Sequence, residues 1–560
     1  MAPPVVSSAP FNREFAGHEL AGDWRAAAFS SKLEVGTLAG PVFSIGTRKA
    51  LGMHRKIAWL SLLGITAAVI AGAFLTDRFR ARPQAPKPPA PPAERETWDV
   101  YRIRGVRAGY GRTLVRHDIE DGRPVIRIEG LIRMNAERFG RMASVDATFA
   151  DTETPEGVLL SYDCKIGQGL AFMRSVGRVR GDQLEVQMTT QGHRRTESLH
   201  WSADYAGMWG PEGSLLRRPM KPGEHRVVHY VSLENQLVAT DLTARQEEDV
   251  ALLDGKYRLL RIDTVEQLSA GQTVAGAAWT TPTGEILKWW REPLDMEAFR
   301  VPKEVAMAAT PLGKLDLGED TLVRLKTPLP HGHDTLRARY RAWLKVGSPA
   351  TAFVSGPAQQ VKWIDAHTAE VTVYAIRPGR HDGNPDAPDD PPTDADTEAN
   401  NFIQSDDPKI VADARKVVPD ETNPWQVAVA LERYVHKQIT HKDLAQAFLT
   451  AAEVAATREG DCKAHAFYLA ALARARGIPA RVAVGLVYMP AAQAFAYHMW
   501  TEVYIQKRWL PLDGTLAKGG IGAGHLQLGH SNMAGVSAYG SFLPVIQVIG
   551  QLKLELVDTE

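Results

Sequence analysis

The sequence predicts a multidomain chain: an N-terminal transmembrane helix, one or more antiparallel all-β domains, and a C-terminal α+β core. Three observations carry this. Residues 57–75 read IAWLSLLGITAAVIAGAFL, a charge-free run long enough to span the hydrocarbon core of a bilayer. From residue 97 onward, short alternating runs rich in β-branched and aromatic residues recur between turn signals. After residue 405 the pattern changes to apolar positions at helical spacing, each run opened by a capping residue, and then to strands that follow a lone cysteine.

Composition bounds the remaining choices. The chain has 560 residues, enough for about three or four domains. Charged residues are 23% and hydrophobic ones 44%, ordinary values for globular proteins. Net charge is zero, so no basic footprint points to a nucleic-acid partner. There are two cysteines, Cys164 and Cys462, in different segments, which is no disulfide framework.

Taken in order, residues 1–52 show little periodicity. They read as a disordered tail or as a start placed too early, because Met53-His54-Arg55-Lys56 forms a basic n-region directly before the apolar run. Residues 53–76 read as a signal-anchor, with a cleaved signal peptide ending near Ala71-Gly72-Ala73 as the alternative. Arg48, Lys49, Arg55 and Lys56 precede the run, and Arg78, Arg80, Arg82 and Lys87 follow it, so charge alone sets no orientation. Nearly all the folded mass lies after the run, which favours an N-terminus inside and the C-terminal domains extracytoplasmic. Residues 77–96 contain PQAPKPPAPP, a polyproline-type spacer.

Residues 97–309 read as an antiparallel β-domain, a half-barrel or sandwich. Strand-like runs fall at 124–129, 183–188, 225–230 and 257–262, separated by turn signals such as Asp121-Gly122 and Asp254-Gly255-Lys256. Residues 310–380 read as a second, small β-domain with strands near 322–325, 338–344 and 369–374. Residues 381–404 include HDGNPDAPDDPPTDADTEAN, an acidic run without Lys or Arg, expected as a disordered linker. Its calcium-binding alternative lacks EF-hand spacing. In the final segment, 405–560, Asp407-Pro408 and Asn423-Pro424 each place an N-cap before proline at the first helical position. Thr450-Ala451-Ala452-Glu453 is a capping box for a third helix. The closing run 552–557 is expected to add a strand to this core.

The chemistry concentrates there. In Gly460-Asp461-Cys462, Asp461 caps an apolar helix from Cys462 to about Arg476, and Gly477 fits its end. The thiol then sits where the helix's partial positive charge favours thiolate, the nucleophilic form. Residues 497–505 alternate as a strand, Gln506-Lys507-Arg508 is a polar turn, and 509–513 return as its partner. Such a hairpin sets His498 beside Asp513, with His498 as the base for Cys462 and Asp513 as the group that orients the ring. A metal site built from Cys462, His465, His498 and Asp513 is the competing reading. No cofactor or metal is expected. His465 is read as structural or rim-forming, and His525 and His530, in a Gly-rich stretch, are given no catalytic role.

These blocks, in this order from about residue 405 to 532, resemble the transglutaminase-like superfamily, whose core is papain-like. The resemblance implies Cys462 as nucleophile, His498 as base and Asp513 as orienting acid. Many bacterial relatives carry a Glu-His pair soon after the nucleophile; here it is Ala464-His465, a departure that leaves the three residues intact. The implied activity is attack on a carboxamide or peptide bond of a protein or peptide substrate through an acyl-thioester, hydrolysis being favoured over amine transfer. The alternatives are a protein-crosslinking transglutaminase and a non-catalytic extracytoplasmic scaffold. Nothing in the sequence sets the oligomeric state.

Overall fold

The computed structural model describes residues 94–560, apart from 169–170, 191–192, 269–272, 309–314, 378–380, 389, 442–448, 539, 541–544 and 546–547. The tail, the apolar run at 57–75 and nearly all of the proline-rich linker lie outside the described residues. Among the described residues, no helix is long and apolar enough to cross a membrane.

The β-region forms one continuous 15-stranded sheet. Its first strand, Arg95–Ile103, pairs antiparallel with its last, Met296–Val301, in the middle of the sheet, with Trp98 opposite Val301. From this seam one half runs outward by hairpins to His193–His200. The other runs back through Lys256–Gln267 and Leu237–Ala251 to His225–Val231, with Tyr205–Ala206 at its edge. Alternation is clear in Gln183–Thr190, where Leu184, Val186, Met188 and Thr190 are buried and the residues between them half-buried. The sheet curls until its halves meet: the Tyr162 hydroxyl donates to Asn235 Oδ1 at 2.8 Å, and Asn235 Nδ2 donates to Ser175 Oγ at 2.8 Å. The expected half-barrel is thus a single curled sheet.

The segment expected as a separate small β-domain is not closed on itself. Its strands Arg337–Leu344, Gln359–Asp365 and Thr368–Tyr374 form a four-stranded sheet whose fourth member is the chain's last strand, Leu552–Thr559. Leu552 and Leu554 point into the apolar cluster of Tyr340, Leu344 and Val371, so the C-terminal strand covers an edge that the local sequence leaves open. That strand therefore does not join the catalytic-type sheet, as its position in sequence suggests. Val323–Arg324, by contrast, does join it, pairing with Ala494–Ile505.

The acidic run is also corrected. The described residues of 381–404 are tied to the core at several points rather than loose. Asp390 pairs with Arg481 at 2.6 Å, and its carbonyl accepts from Trp509 Nε1 at 2.7 Å. Asp396 accepts from the backbone N–H of Thr393 at 2.8 Å, closing a capping box, and Phe402 and Ile403 are buried. Local charge predicts repulsion, but a distant arginine, backbone donors and two apolar anchors overcome it.

The C-terminal core follows its capping signals. Asp407 accepts from the N–H groups of Lys409 (2.9 Å) and Ile410 (3.1 Å) to start the helix Pro408–Val417. Asn423 accepts from Trp425 (3.0 Å) and Gln426 (3.3 Å) to start Pro424–Gln438. Thr450 and Glu453 form the reciprocal box of Ala451–Thr457. The helix Cys462–Ala475 runs through the centre, with every residue from Ala464 to Arg474 buried. Each buried leucine there, Leu469 and Leu472, is worth about 1.5–3 kcal/mol. Against it lies a sheet in the order Val323–Arg324, Ala494–Ile505, Ala480–Met489, His525–Ser531, with Arg508–Leu512 paired to Ala494–Ile505.

Candidate active site

The site begins at Gly460. Its φ of +139° lies in the range that favours glycine, and a Cβ there would stand 2.2 Å from Ala464 Cβ. Only glycine lets the chain turn this tightly into the helix. Asp461 then caps it, accepting from Lys463 N–H at 3.0 Å. Cys462, half-buried, is the first helical residue, at the positive end of the helix dipole.

The hairpin forms as its sequence suggests. Gln506 (φ 53°) and Lys507 (φ 62°) make the two-residue turn, and Thr501 pairs with Leu512. Three residues back from Thr501 is His498; one beyond Leu512 is Asp513. His498 Nε2 and Asp513 Oδ2 are 2.9 Å apart, both residues being buried. The imidazole and the Cys462 thiol are near enough that each shifts the other's protonation. The structure therefore brings His498 and Asp513 together, with Cys462 nearby. His465 points elsewhere: its Nδ1 lies 2.8 Å from the carbonyl of Asp461, one turn back on its own helix.

Charge orders this cluster. Burial and the Asp461 carboxylate push the Cys462 thiol up, but the His498 hydrogen bond and charge, with Lys463, outweigh them and leave it below the ordinary thiol value. Burial opposes protonation of His498, yet Asp513 beside it raises the imidazole to about 10. Despite burial, the His498 and His525 partners hold Asp513 well below the usual carboxylate range. Both shifts favour moving the thiol proton to the imidazole.

Three further residues complete the surroundings, none of them given a part in the site from sequence. His525, expected to play no part, brings Nε2 within 3.1 Å of the same Asp513 oxygen that meets His498. Glu432, fully buried, accepts from the N–H groups of Asp513 (3.1 Å) and Gly519 (2.9 Å), fixing the loop that carries the carboxylate. Burial and the Asp513 charge push Glu432 up to about 8. Arg138, from the large β-sheet, donates Nη1 to Asp461 Oδ2 at 2.9 Å. Glu432 had a signal: it falls four residues after Ala428 and three before Val435, on the helix stripe that is buried. His525 had none locally. It reaches Asp513 because Ala480–Met489 pairs with both His525–Ser531 and Ala494–Ile505. Gly485 permits that close packing, since a Cβ there would lie 2.0 Å from the carbonyl oxygen of Leu526.

His498, Asp513 and His525 place three ligand-type atoms within 4.8 Å of one another. Two ring N–H groups donating to one carboxylate oxygen account for the same spacing.

The family model described as the transglutaminase-like superfamily matches residues 412–514. Solved structures similar to the chain include a candidate cysteine protease from Cytophaga hutchinsonii, at 15% identity over 40% of this chain and 89% of that one, with a TM-score of 0.27. The periplasmic domain of TgpA from Pseudomonas aeruginosa, solved bound to ethylmercury, matches at 15% identity over 33% and 91%, with a TM-score of 0.22. A β-barrel-like protein from Brucella abortus matches at 10% identity over 37% and 95%, with a TM-score of 0.29. No curated protein matches the chain significantly.

Proposed function

We propose that this chain, which carries a transglutaminase-like core over residues 412–514, is a cysteine enzyme that hydrolyses carboxamide or peptide bonds of protein substrates. One observation supports it above the others: a thiol at a helix N-terminus faces an imidazole that is itself 2.9 Å from a buried carboxylate. In this mechanism the Cys462 thiolate attacks the substrate carbonyl carbon. The oxyanion forms beside the backbone N–H of Cys462, at the helix N-terminus. The imidazolium of His498 gives its proton to the leaving nitrogen as the C–N bond breaks, and an acyl-thioester remains. Water then attacks that carbonyl, His498 takes the water's proton, and thiolate leaves as the carboxylic acid departs. Asp513 holds the ring and offsets its charge throughout.

The apolar run at 57–75 supports anchoring in a membrane, with the folded domains extracytoplasmic. Amine in place of water at the second step makes the same site a crosslinking enzyme. The test measures three products from one glutamine-rich protein substrate: ammonia, new peptide N-termini, and incorporation of a fluorescent primary amine. Hydrolysis predicts ammonia or new N-termini with little amine incorporation; dominant incorporation reverses the preference. Cys462→Ala removes all three, whereas Cys164→Ala retains them, its thiol being buried and pushed up by burial. No product from the wild type, together with a Cys462 that resists thiol probes, makes the core a scaffold.

A further inference from the structure

Arg138 closes the strand Arg123–Arg138, at the tip of its hairpin with Arg141–Glu153. The tip is fixed in place. Asp316 accepts from the backbone N–H groups of Phe139 at 2.8 Å and Gly140 at 2.7 Å. Gly318 lies flat on the same turn, where a Cβ would come 2.7 Å from Phe139 N. From this tip the Arg138 side chain crosses into the C-terminal core. Its Nη1 bonds Asp461 Oδ2 at 2.9 Å, on the residue next to Cys462, and the guanidinium and the thiolate attract each other.

We propose that Arg138 is a positioning residue of the active centre: the large β-sheet supplies a fixed cation that holds the Cys462 side chain as thiolate, complementing His498. The proposal rests on the reading of Cys462 as nucleophile. Its physical basis is local charge. Asp461 must cap the helix, but its carboxylate stands next to the thiol and opposes thiolate formation. Arg138 and Lys463 both pair with that carboxylate and neutralise it. The charged and titratable groups acting on the thiol are then Asp461 and Lys463 beside it in sequence, His498 with Asp513 behind it on the hairpin, and Arg138 from the β-sheet. Arg138 brings its cation to the Asp461 carboxylate from outside the C-terminal core, so the reactive state depends on how the β-sheet is docked. An anchored hairpin suits this role because a planar guanidinium placed by fixed backbone meets the Asp461 carboxylate in a set geometry.

The Arg138 side chain is 28% exposed, so solvent screens part of its field and the expected effect is moderate. The experiment follows the rate of Cys462 alkylation by iodoacetamide against pH in the full chain, with the modified peptide quantified by mass spectrometry. It needs no substrate. In R138Q the midpoint rises by about one pH unit, so alkylation below the midpoint slows about tenfold. R138M, which keeps an apolar stem of similar length, is read in parallel, so misfolding of one variant does not remove the test. R138K, which keeps the charge, stays within about threefold of wild type, a difference of less than half a pH unit. A folded R138Q or R138M with the wild-type profile overturns the proposal. So does an R138K profile displaced as far as that of R138Q, since charge is then not the cause. Wild-type turnover in C462A is a separate failure: it removes Cys462 from catalysis while leaving the alkylation shift measurable.

Discussion

Replacing Asp513 by asparagine removes one charge from the most enclosed point of the site. At the 2.9 Å seen between His498 and Asp513, an ion pair is worth about 6 kcal/mol at an effective dielectric constant of about 20. The second route is the imidazole itself. Its rise to about 10 from an ordinary 6.5 corresponds to about 5 kcal/mol. That rise also carries the opposing cost of burial and the Cys462 contribution, so the ion-pair figure sets the scale, about four powers of ten in rate. Hydrogen bonding adds to the loss. Asp513 accepts from both histidines on Oδ2 and from Thr515 N–H, at 2.8 Å, on Oδ1. An amide offers one acceptor, so its NH2 must face a donor on one side, at a cost of about 1–3 kcal/mol. The assay is turnover against pH. The thiolate–imidazolium pair exists between the lowered thiol pKa and the raised imidazole pKa, so the wild-type profile falls on its alkaline side near pH 10. In Asp513→Asn that limb moves toward neutrality as His498 returns toward its ordinary value. The sign for stability follows as well. His498 binds its proton more tightly folded than unfolded, so its contribution is full below about pH 6.5 and fades as pH rises through about 10. Wild-type and variant melting temperatures should therefore converge in alkali. Wild-type turnover with an unchanged profile would remove Asp513 from the reaction, leaving at most Cys462 and His498.

Further outcomes follow from the same geometry. Iodoacetamide should inactivate the enzyme and EDTA should not; loss with EDTA restored by zinc would make His498, Asp513 and His525 a metal centre, and restoration by calcium would implicate the acidic run. His525→Ala should slow turnover about tenfold, since one charge-assisted hydrogen bond to Asp513 is worth about 1.5–3 kcal/mol; turnover equal to wild type would leave His525 a packing residue. Deleting residues 1–93 should leave a soluble, active protein while the full chain sediments with membranes through a salt wash, because the apolar run lies inside the deletion. The cut must stop there, as Arg95–Ile103 is a central strand of the large sheet.

What was legible in the sequence divides by range. The three helix caps, the turn read at Gln506-Lys507-Arg508 and the strand run 183–188 are local signals, set within a few residues by backbone donors and side-chain period; the structure follows them, with the turn confined to Gln506 and Lys507 and the strand running on to Thr190. The positions of Cys462 at a helix mouth and of His498 and Asp513 beside a tight hairpin were legible for the same reason, since local geometry sets both. The acidic run misled because its neutralising partner, Arg481, lies 91 residues away. The last strand misled because its open edge is offered by Arg337–Leu344, more than 200 residues earlier.

The same division separates the site's chemistry from its surroundings. A hairpin can aim His498 at Asp513, but one turn cannot hold a buried carboxylate in place. Asp513 is held by Glu432 from a helix and by His525 from a strand two positions across the sheet. Likewise, Asp461 can start the helix from the next position in sequence, yet the charge it brings beside the thiol is balanced partly by Arg138, 323 residues away. Reactive groups fit short motifs because chemistry needs contact. The groups that set their charge and hold their geometry come from wherever the fold leaves a donor facing them, so a motif identifies the first set and only the tertiary structure identifies the second.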